Sequence, residues 1–404
     1  MSAVAEPLAH THDDNLARRN ALVLAVAQAL AGGNNTVIVA TSAIIGAVLA
    51  PDKGLATLPI TGMVFGMWFG TLPIGYLART RGRRFALQTG SLFGVISGLI
   101  SFSATMIGSF PLLLLGTFCG GLYAAAHQSY RFAAADTASE SFRAKAVSWV
   151  LAGGVFAAVI GPQLVIFTKD MLSPHLFAAS FLGQSVCALL AAAVLTFVRI
   201  PRLTSKPTEP VRSLLHITLT PQFIVAVACG VVSYAMMNMV MTSAPLAMID
   251  CGHSVTDSAL GIQWHVIAMY APSFFTGHLI NRFGVERVIS AGLALLLAAA
   301  LVGISGLTVA HFWTNLVLLG LGWNFSFIGA TTMVTRCHRP HERNKVQAFN
   351  DFLIFGSMAV SSFSSGQLLA RFGWVTVNEV IFPAVFIAGA LLAWLTLRGR
   401  AKAA

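Results

Sequence analysis

The chain of 404 residues is 56% hydrophobic and only 10% charged, with a mean hydropathy of +0.77. About a quarter of the residues in an average soluble domain are charged, so this composition excludes a large soluble enzyme. The net charge of +11 at pH 7 would fit a nucleic-acid partner, but the basic residues lie in short loops between apolar segments, which argues against one.

Apolar segments of membrane-spanning length follow one another along the whole chain. A bilayer core about 30 Å thick needs about 20 apolar helical residues to cross it. The approximate spans are 21–49, 57–78, 85–108, 110–132, 145–168, 174–198, 221–249, 256–280, 285–309, 311–335, 346–370 and 374–398. We therefore predict an all-α, polytopic membrane protein with twelve transmembrane helices.

The basic residues predict the orientation of these spans. With the N-terminus in the cytoplasm, nearly all arginines and lysines fall in cytoplasmic loops, and only Lys53, Lys169 and Arg371 fall outside. This positive-inside bias predicts that both termini are cytoplasmic. The predicted organisation is a cytoplasmic tail 1–20, a six-helix half 21–198, a cytoplasmic linker 199–220, a second six-helix half 221–398 and a tail 399–404.

The loop after span two is repeated half a chain later. The segment GYLARTRGRRFAL begins at Gly75 and the segment GHLINRFGVERVI begins at Gly277, so Gly82 corresponds to Gly284 at the same offset of 202 residues. Internal repeats of this kind are typical of secondary transporters. The duplication predicts two halves that are related in structure.

Twelve spans in two halves, with a basic, glycine-containing loop after span two and a weaker copy after span eight, resemble the major facilitator superfamily. The resemblance covers the whole chain and implies alternating access between the two halves. The residues that carry the loop motif are Gly75, Arg79, Gly82, Arg83, Arg84, Gly277 and Gly284. Arg79 and, in the second copy, Asn281 stand where the family usually has an acidic residue. We therefore expect the charge contact that locks one conformation in family members to be altered here.

Ionisable residues inside the predicted spans are few. A charged residue at the centre of a membrane helix costs about 2.5–3.5 kcal/mol on insertion scales, so such residues tend to be functional. Asp351 lies about one turn inside span eleven, and we interpret it as a helix-end residue partnered by a loop arginine. His127 in span four and His265 in span eight are candidate proton carriers or metal ligands; the alternative is a hydrogen bond to a neighbouring helix.

Spans seven and eight carry sulfur and imidazole at helical spacing. Met237 and Met241 are four residues apart, as are His265 and Met269, so each pair lies on one helix face. Met241 and His265 are each about eight residues from the outer ends of their spans, and Met237 and Met269 about twelve. If the two helices pack together, the four side chains converge. Thioether sulfur selects Cu(I), and imidazole also suits copper; the alternative is a core filled with flexible methionine.

Two further observations bear on this site. Cys229 lies two turns inward of Met237 on about the same face and could act as a relay for an ion in transit. The offset of 202 residues relates Met63 and Met67 of span two to His265 and Met269, so part of the pattern occurs twice.

The pattern MxxxM in span seven followed by HxxxM in span eight is similar to the CcoA-type copper importers, major facilitator proteins that supply copper for bacterial cytochrome c oxidase assembly. The resemblance implies that Met237, Met241, His265 and Met269 are copper ligands. It also implies that copper is the transported substrate and that no cofactor is bound. Bacterial riboflavin transporters are close relatives, so QWHVIAMYAPSFFTG can mark the broader group and not its copper members alone.

Amide and aromatic residues favour an organic solute instead. In the superfamily the first, fourth, seventh and tenth spans line the central cavity, and aromatics plus amides without a buried acid would suit a flat, largely neutral ligand such as a flavin. The alternative for each residue is an interhelical hydrogen bond. The candidate cavity residues are Asn34, Asn35, His127, Tyr234, Asn238, Trp323 and Asn324.

We therefore predict a monomeric, multi-pass transporter of a bacterial inner membrane, not an enzyme. Its predicted partners are the lipid bilayer and a metal-ion or small-molecule substrate, without nucleic acid. Copper import is the main hypothesis, and uptake of riboflavin or another small aromatic metabolite is the alternative. A multidrug or metabolite exporter and a non-transporting sensor are further hypotheses, and no soluble signalling domain is visible to support a sensor.

Overall fold

The computed structural model describes residues 14–136, 138–200, 213–339 and 342–403, and within these ranges the regular structure is entirely helical. Most of the predicted N-terminal tail 1–20 and of the predicted linker 199–220 lies outside the described residues. The all-α class predicted from composition is confirmed.

The helices follow one another with short connections. A 3₁₀ helix, Lys53–Leu55, precedes the second α-helix. The first group of helices is α1 Asp14–Leu49, α2 Leu58–Thr80, α3 Arg83–Ile107, α4 Phe110–Gln128, α5 Tyr130–Asp136, α6 Glu140–Thr168 and α7 Ala178–Leu195. The second group is α8 Leu214–Thr218, α9 Pro221–Asp250, α10 Val255–Tyr270, α11 Ser273–Phe283, α12 Val285–Ser305, α13 Val309–Thr335, α14 Arg343–Glu379 and α15 Ile381–Ala403.

Ten helical segments within the described residues are long and apolar enough to cross a membrane. The count differs from the predicted twelve for two reasons. The predicted eighth span is divided between α10, which has 16 residues, and the 11-residue α11. The eleventh and twelfth spans join in one apolar stretch of 53 residues, Val346–Arg398. Large apolar side chains such as Leu72 and Phe167 are exposed on the surface, as a lipid-facing protein requires.

The break between α10 and α11 corrects the prediction of one continuous eighth span. It falls at Ala271 and Pro272, and proline has no backbone N–H to continue the helical hydrogen bonds. Asn324 of α13 donates to the carbonyl of Met269 at 2.6 Å and to Oγ of Ser273 at 2.8 Å, so its amide satisfies groups at the break. The predicted fourth span is likewise divided at Ser129 into α4 and α5.

Contacts within each group of helices are more extensive than contacts between the groups. In the first group α1 packs against α6, and α2 and α3 pack against α4; in the second, α12 packs against α13, and α9 packs against α13 and α14. The groups meet where α6 contacts α10, α2 contacts α14 and α1 contacts α9. These three contacts enclose the space described next.

Candidate functional site

A cavity lies between the two groups of helices, with walls from α1, α2, α4, α6, α9, α10 and α14. The cavity volume is about 80 Å³, which is room for only a few water molecules. Among the described residues that line this wall there is no aspartate, glutamate, lysine or arginine, and one histidine, His127. The cavity is therefore suited to a neutral or weakly charged solute.

Six methionines contribute to the wall. Thioether groups are polarisable, and they make favourable contacts with aromatic rings as well as with soft metal ions. The six are Met63 and Met67 of α2, Met237 and Met241 of α9, Met269 of α10 and Met358 of α14. Three of the four predicted copper ligands thus face one space, together with the methionines of the repeated pattern in α2.

His265, the fourth predicted ligand, is fully buried and is not among the residues that line the cavity. Its Nδ1 lies 2.7 Å from the carbonyl oxygen of Leu316 in α13, so Nδ1–H donates and Nε2 keeps its lone pair. Nε2 is buried and has no hydrogen-bond partner in the described part of the chain. α10 packs mainly against α13 and α6, with fewer contacts to α9, so spans seven and eight are not packed as closely as predicted.

Cys229, the predicted relay, lies away from the cavity. It is fully buried, and its sulfur is 3.9 Å from the carbonyl oxygen of Ala388 in α15. Its thiol therefore faces the interior of the second group of helices.

The adjacent asparagines of α1 have different surroundings. Asn34 is buried, and its amide nitrogen donates to the carbonyl oxygen of Gln184 in α7 at 3.2 Å. Asn35 lines the cavity, and its Oδ1 is buried without a hydrogen-bond partner among the described residues. Of the two amides, only that of Asn35 is available to a solute.

His127 of α4 also lines the cavity. Only 4% of its surface is exposed, and neither ring nitrogen has a hydrogen-bond partner within the described ranges. The rings of Tyr123 and Tyr130 contact it edge-on, with centroids 6.1 and 6.3 Å away. These contacts hold the imidazole plane while leaving both nitrogens free.

Asn238 and Tyr234 of α9 lie in the same wall. Asn238 donates to the carbonyl oxygen of Met358 at 3.1 Å and to Oγ of Ser361 at 3.2 Å, so its amide already joins α9 to α14. Tyr234 contacts the ring of Trp323 edge-on at 5.2 Å. Trp323 stands behind it, stacked on Phe327 at 5.0 Å, and is not among the lining residues.

Asn324 was predicted to face the cavity but instead supports its wall. Besides the two hydrogen bonds at the helix break, its Oδ1 accepts from Oγ1 of Thr276 at 2.6 Å. The network positions the last turn of α10, which carries Met269.

The repeated loops have the same backbone at their central glycines. Gly82 has φ 94° and ψ 156°, and Gly284 has φ 90° and ψ 152°. Gly75 and Gly277, which begin the two repeated segments, lie next to open space: a Cβ added at either would meet no atom within 4 Å. Arg84 is exposed, Arg83 is half-buried, and the side chain of Arg79 lies outside the described residues.

The acidic residue of span eleven makes its hydrogen bond within its own helix. Asp351 of α14 is half-buried, and it accepts a hydrogen bond from Asn350 at 3.1 Å. Among the described residues Asp351 has no ion pair, and the side chains of Arg343 and Lys345 lie outside the described part of the chain. The loop arginine expected as its partner stays a prediction.

Several wall residues were not predicted as site residues. They include Gln28, Thr36, Met63, Met67, Tyr270 and Met358. A signal for Met63 and Met67 was present in the offset of 202 residues, which relates them to His265 and Met269. No comparable pattern in the sequence indicated Gln28, Thr36 or Met358.

Hydrogen bonds between the groups lie toward one end of the bundle, the end that carries residues 50–57, here termed the loop-1 end. Gln163 of α6 donates to Gln263 of α10 at 2.8 Å. Oγ1 of Thr61 donates to Oγ of Ser362 at 3.2 Å, and Oγ1 of Thr57 donates to the carbonyl oxygen of Ser362 at 3.2 Å. Gln367 donates to the carbonyl oxygen of Gly54 at 3.0 Å. Neutral groups thus join the two groups of helices at this end.

Comparisons with known structures agree with this architecture. A point mutant of the nucleoside transporter NupG superposes with a TM-score of 0.71 at 13% identity, covering 94% of this chain and 99% of that one. A bacterial homologue of the human lysosomal transporter Spinster, in an inward-facing and occupied conformation, superposes with a TM-score of 0.69 at 18% identity, covering 94% and 96%. At these identities the likeness shows the fold alone.

Sequence comparisons define the family. The riboflavin transporter RfnT of Brucella anthropi is 47% identical over 395 residues, which are 97% of this chain and 98% of that one. The uncharacterized MFS-type transporter YdeG of Bacillus subtilis is 29% identical over 383 residues, covering 91% and 89%. The model of the Major Facilitator Superfamily matches residues 24–269 and 226–404. Two groups of membrane helices around a shared cavity, and matches that span both groups, show that the chain belongs to the Major Facilitator Superfamily of transporters.

Proposed function

We propose that the protein takes up riboflavin, or a flat aromatic metabolite of similar chemistry, across the inner membrane of a bacterium. The observation that carries the proposal is the 47% identity to a riboflavin transporter over nearly the whole of both chains. This comparison supports riboflavin, the alternative among the hypotheses drawn from the sequence, better than copper import.

The chemistry of the cavity supports the same substrate class. A flavin combines a flat aromatic ring system with hydrogen-bonding edges and no formal charge. Thioethers such as Met63 and Met241 can contact the faces of the ring, each with about 0.3–1.5 kcal/mol. Asn35, His127 and Gln128 supply polar atoms at the same wall. A flavin needs more room than the present cavity offers, so the two groups of helices must separate to admit it.

Alternating access supplies that motion in our proposal. The chain would cross the membrane twelve times as a monomer, with both termini in the cytoplasm and the loop-1 end outside, as the positive-inside bias indicates. The hydrogen bonds of Gln163 and Ser362 then close the cavity toward the outside, and transport requires that they break and re-form.

Copper import is the second candidate, and two observations favour it. Six methionines surround the cavity, and His265 donates from Nδ1 to a backbone carbonyl. Histidines that bind metals usually donate their other ring nitrogen in this way. The ligand set Met237, Met241, His265 and Met269 remains a prediction.

A paired uptake assay separates the two candidates. Labelled riboflavin and labelled copper are offered to the same proteoliposomes, and we expect saturable uptake of riboflavin. Leucine at Met237 or Met241 preserves volume but cannot bind a metal, so these variants should retain riboflavin uptake within about tenfold, because swaps of similar volume usually cost less than about 1.5 kcal/mol. Met239→Leu, buried on the same helix but outside the cavity wall, is the matched control.

Each alternative gives a different result in this assay. Copper uptake that Met237→Leu and Met241→Leu abolish, without uptake of riboflavin, would overturn the proposal in favour of copper. If neither solute crosses the membrane, a sensor is favoured. If cells that express the protein only release the labelled solute and do not take it up, an exporter is favoured.

A further inference from the structure

Three buried polar atoms in the cavity wall, on Asn35 and His127, lack hydrogen-bond partners among the described residues, and they point to the part of the substrate that the protein recognises. Buried polar side-chain atoms almost always have a hydrogen-bond partner. Neither nitrogen of His127, which is 4% exposed, has one among the described residues, and neither has Oδ1 of Asn35. Both side chains line the same cavity. A ligand that supplies the missing partners is the simplest reason for such an arrangement.

The two side chains lie at similar depth. α1 ends at Leu49 and α4 begins at Phe110, both at the loop-1 end, and the two helices are in contact. Asn35 and His127 lie about 21 Å and about 25 Å from those helix ends, at a rise of 1.5 Å per residue. One small molecule can therefore reach both.

The amide nitrogens of two nearby asparagines, in contrast, already donate hydrogen bonds within the protein. Asn34 donates to Gln184, and Asn238 donates to Met358 and Ser361. The amide and imidazole groups that are open to a solute thus lie on α1 and α4, whereas the thioethers lie on α2, α9, α10 and α14, where Tyr234 and Tyr270 also line the cavity.

We propose that Asn35 and His127 bind an imide-type edge of the substrate, in which one N–H lies between two carbonyl groups. An amide side chain offers an acceptor and a donor side by side, and a neutral imidazole offers one N–H donor. Oδ1 of Asn35 accepts from the imide N–H, and the donors of Asn35 and His127 reach the flanking carbonyls. The thioethers contact the ring faces. This inference rests on the proposed function, because it names the flavin edge that enters the site: the pyrimidine ring carries this group.

The test is competition against labelled riboflavin in proteoliposomes by two analogues. N3-methylriboflavin lacks the imide N–H, and lumiflavin keeps the imide edge but lacks the ribityl chain. In the parent protein we expect N3-methylriboflavin to compete at least about tenfold less well than riboflavin, the effect of losing one hydrogen bond to a buried acceptor. Lumiflavin should compete more strongly than N3-methylriboflavin.

Variants of the two residues then test which of them makes the protein prefer riboflavin to N3-methylriboflavin. In Asn35→Leu, the inhibition constant of N3-methylriboflavin divided by that of riboflavin should fall to about threefold or less, since the acceptor of the imide N–H is gone. In His127→Phe both inhibition constants should rise, because both compounds carry the carbonyl groups to which the imidazole donates, and their ratio should stay near the parental value. The ratio does not depend on how much protein folds. Asn34→Ala, with its amide directed at α7, should keep the parental ratio.

The outcomes separate this inference from the proposed function. Riboflavin uptake together with equal competition by N3-methylriboflavin, an unchanged ratio in Asn35→Leu, or parental inhibition constants in His127→Phe overturns the inference and leaves the proposed function standing. A parent protein that neither binds nor transports riboflavin overturns both.

Discussion

Gly82 and Gly284 adopt a backbone conformation that is almost restricted to glycine. Their φ angles of 94° and 90°, with ψ of 156° and 152°, fall in a region where a Cβ clashes with the backbone. Each residue immediately precedes a helix, α3 or α12, and so sets the angle at which the chain reverses. The two copies of the loop thus need glycine for the same local reason.

Alanine at either position should destabilise the protein. We expect Gly82→Ala and Gly284→Ala each to lower the free energy of unfolding by about 1–3 kcal/mol, because the strained conformation persists in the folded state. Thermal unfolding in detergent measures the effect. Gly75→Ala and Gly277→Ala are matched controls from the same motif, with open space at the added methyl group, and should not destabilise. Equal melting temperatures for all four variants would contradict the strain argument.

At the scale of elements, the break between α10 and α11 shapes one wall of the cavity. Pro272 ends the run of helical hydrogen bonds, and Asn324 of α13 satisfies the groups on both sides of the break. Met269 lies in the last turn of α10 and faces the cavity. A residue of α13 that does not face the solute therefore controls the position of one that does.

Removing the Asn324 amide should destabilise the protein at the break between α10 and α11. Asn324→Leu leaves the carbonyl of Met269 and the hydroxyls of Ser273 and Thr276 without this partner, and we expect a loss of about 1–3 kcal/mol in the free energy of unfolding. The measurement is thermal unfolding, with riboflavin uptake per folded molecule as a second readout that should also fall. Ser290→Ala, at an exposed hydroxyl bonded only within its own helix, is the control. Parental stability and uptake in Asn324→Leu would show that the network is dispensable.

On the scale of the whole molecule, four neutral hydrogen bonds between described residues join the two groups of helices at the loop-1 end. Each contributes about 0.5–1.5 kcal/mol, so they hold this end closed without making closure irreversible. Neutral amides and hydroxyls suit a gate of this kind, because exposing them to water costs less than separating a buried ion pair.

Weakening this gate should shift the protein toward a state open at the loop-1 end. The double variant Gln163→Ala, Ser362→Ala removes two of the four bonds, which corresponds to about 1–3 kcal/mol and roughly a 5- to 150-fold change in population. The measurement is the labelling rate of Met67→Cys, in the cavity wall, by an impermeant maleimide added outside cells. The exposed Cys251 is replaced by serine in this background.

Ser103→Ala, which removes an exposed hydroxyl bonded within α3, is the control for this measurement. Labelling should be faster in the double variant than in this control or the parent. A rate equal to the parental rate would show that these bonds do not hold the end closed.

Much of the fold could be predicted because it depends on properties of single segments. Apolar length is enough to identify a membrane helix, and the chain carries such segments almost without interruption. Helix breaks were less predictable: Pro272 and Ser129 lie inside apolar runs that read as continuous spans. Pro73, by contrast, lies inside the unbroken α2, so proline alone does not decide where a helix ends.

The candidate site was predictable only in part, because a side chain's direction depends on how helices are packed. Asn34 and Asn35 are neighbours in sequence, yet one amide contacts α7 and the other faces the cavity. Met237, Met241 and Met269 were placed on the right faces by their spacing, whereas the partner of His265 is a carbonyl 51 residues away. Hydrogen bonds over such distances leave no local pattern.

By itself the sequence determined that the protein is a helical, membrane-embedded, internally repeated transporter, since hydropathy, charge placement and an offset repeat are all properties of the linear chain. Only the tertiary structure decided which of its amides, imidazoles and thioethers share one cavity. A helix that is apolar on nearly all sides has no single face that its sequence marks as inward. Close packing against neighbouring helices fixes which of its faces meets the cavity. That selection leaves Asn35 and His127 facing the cavity and turns Asn34, Asn324 and Cys229 toward protein.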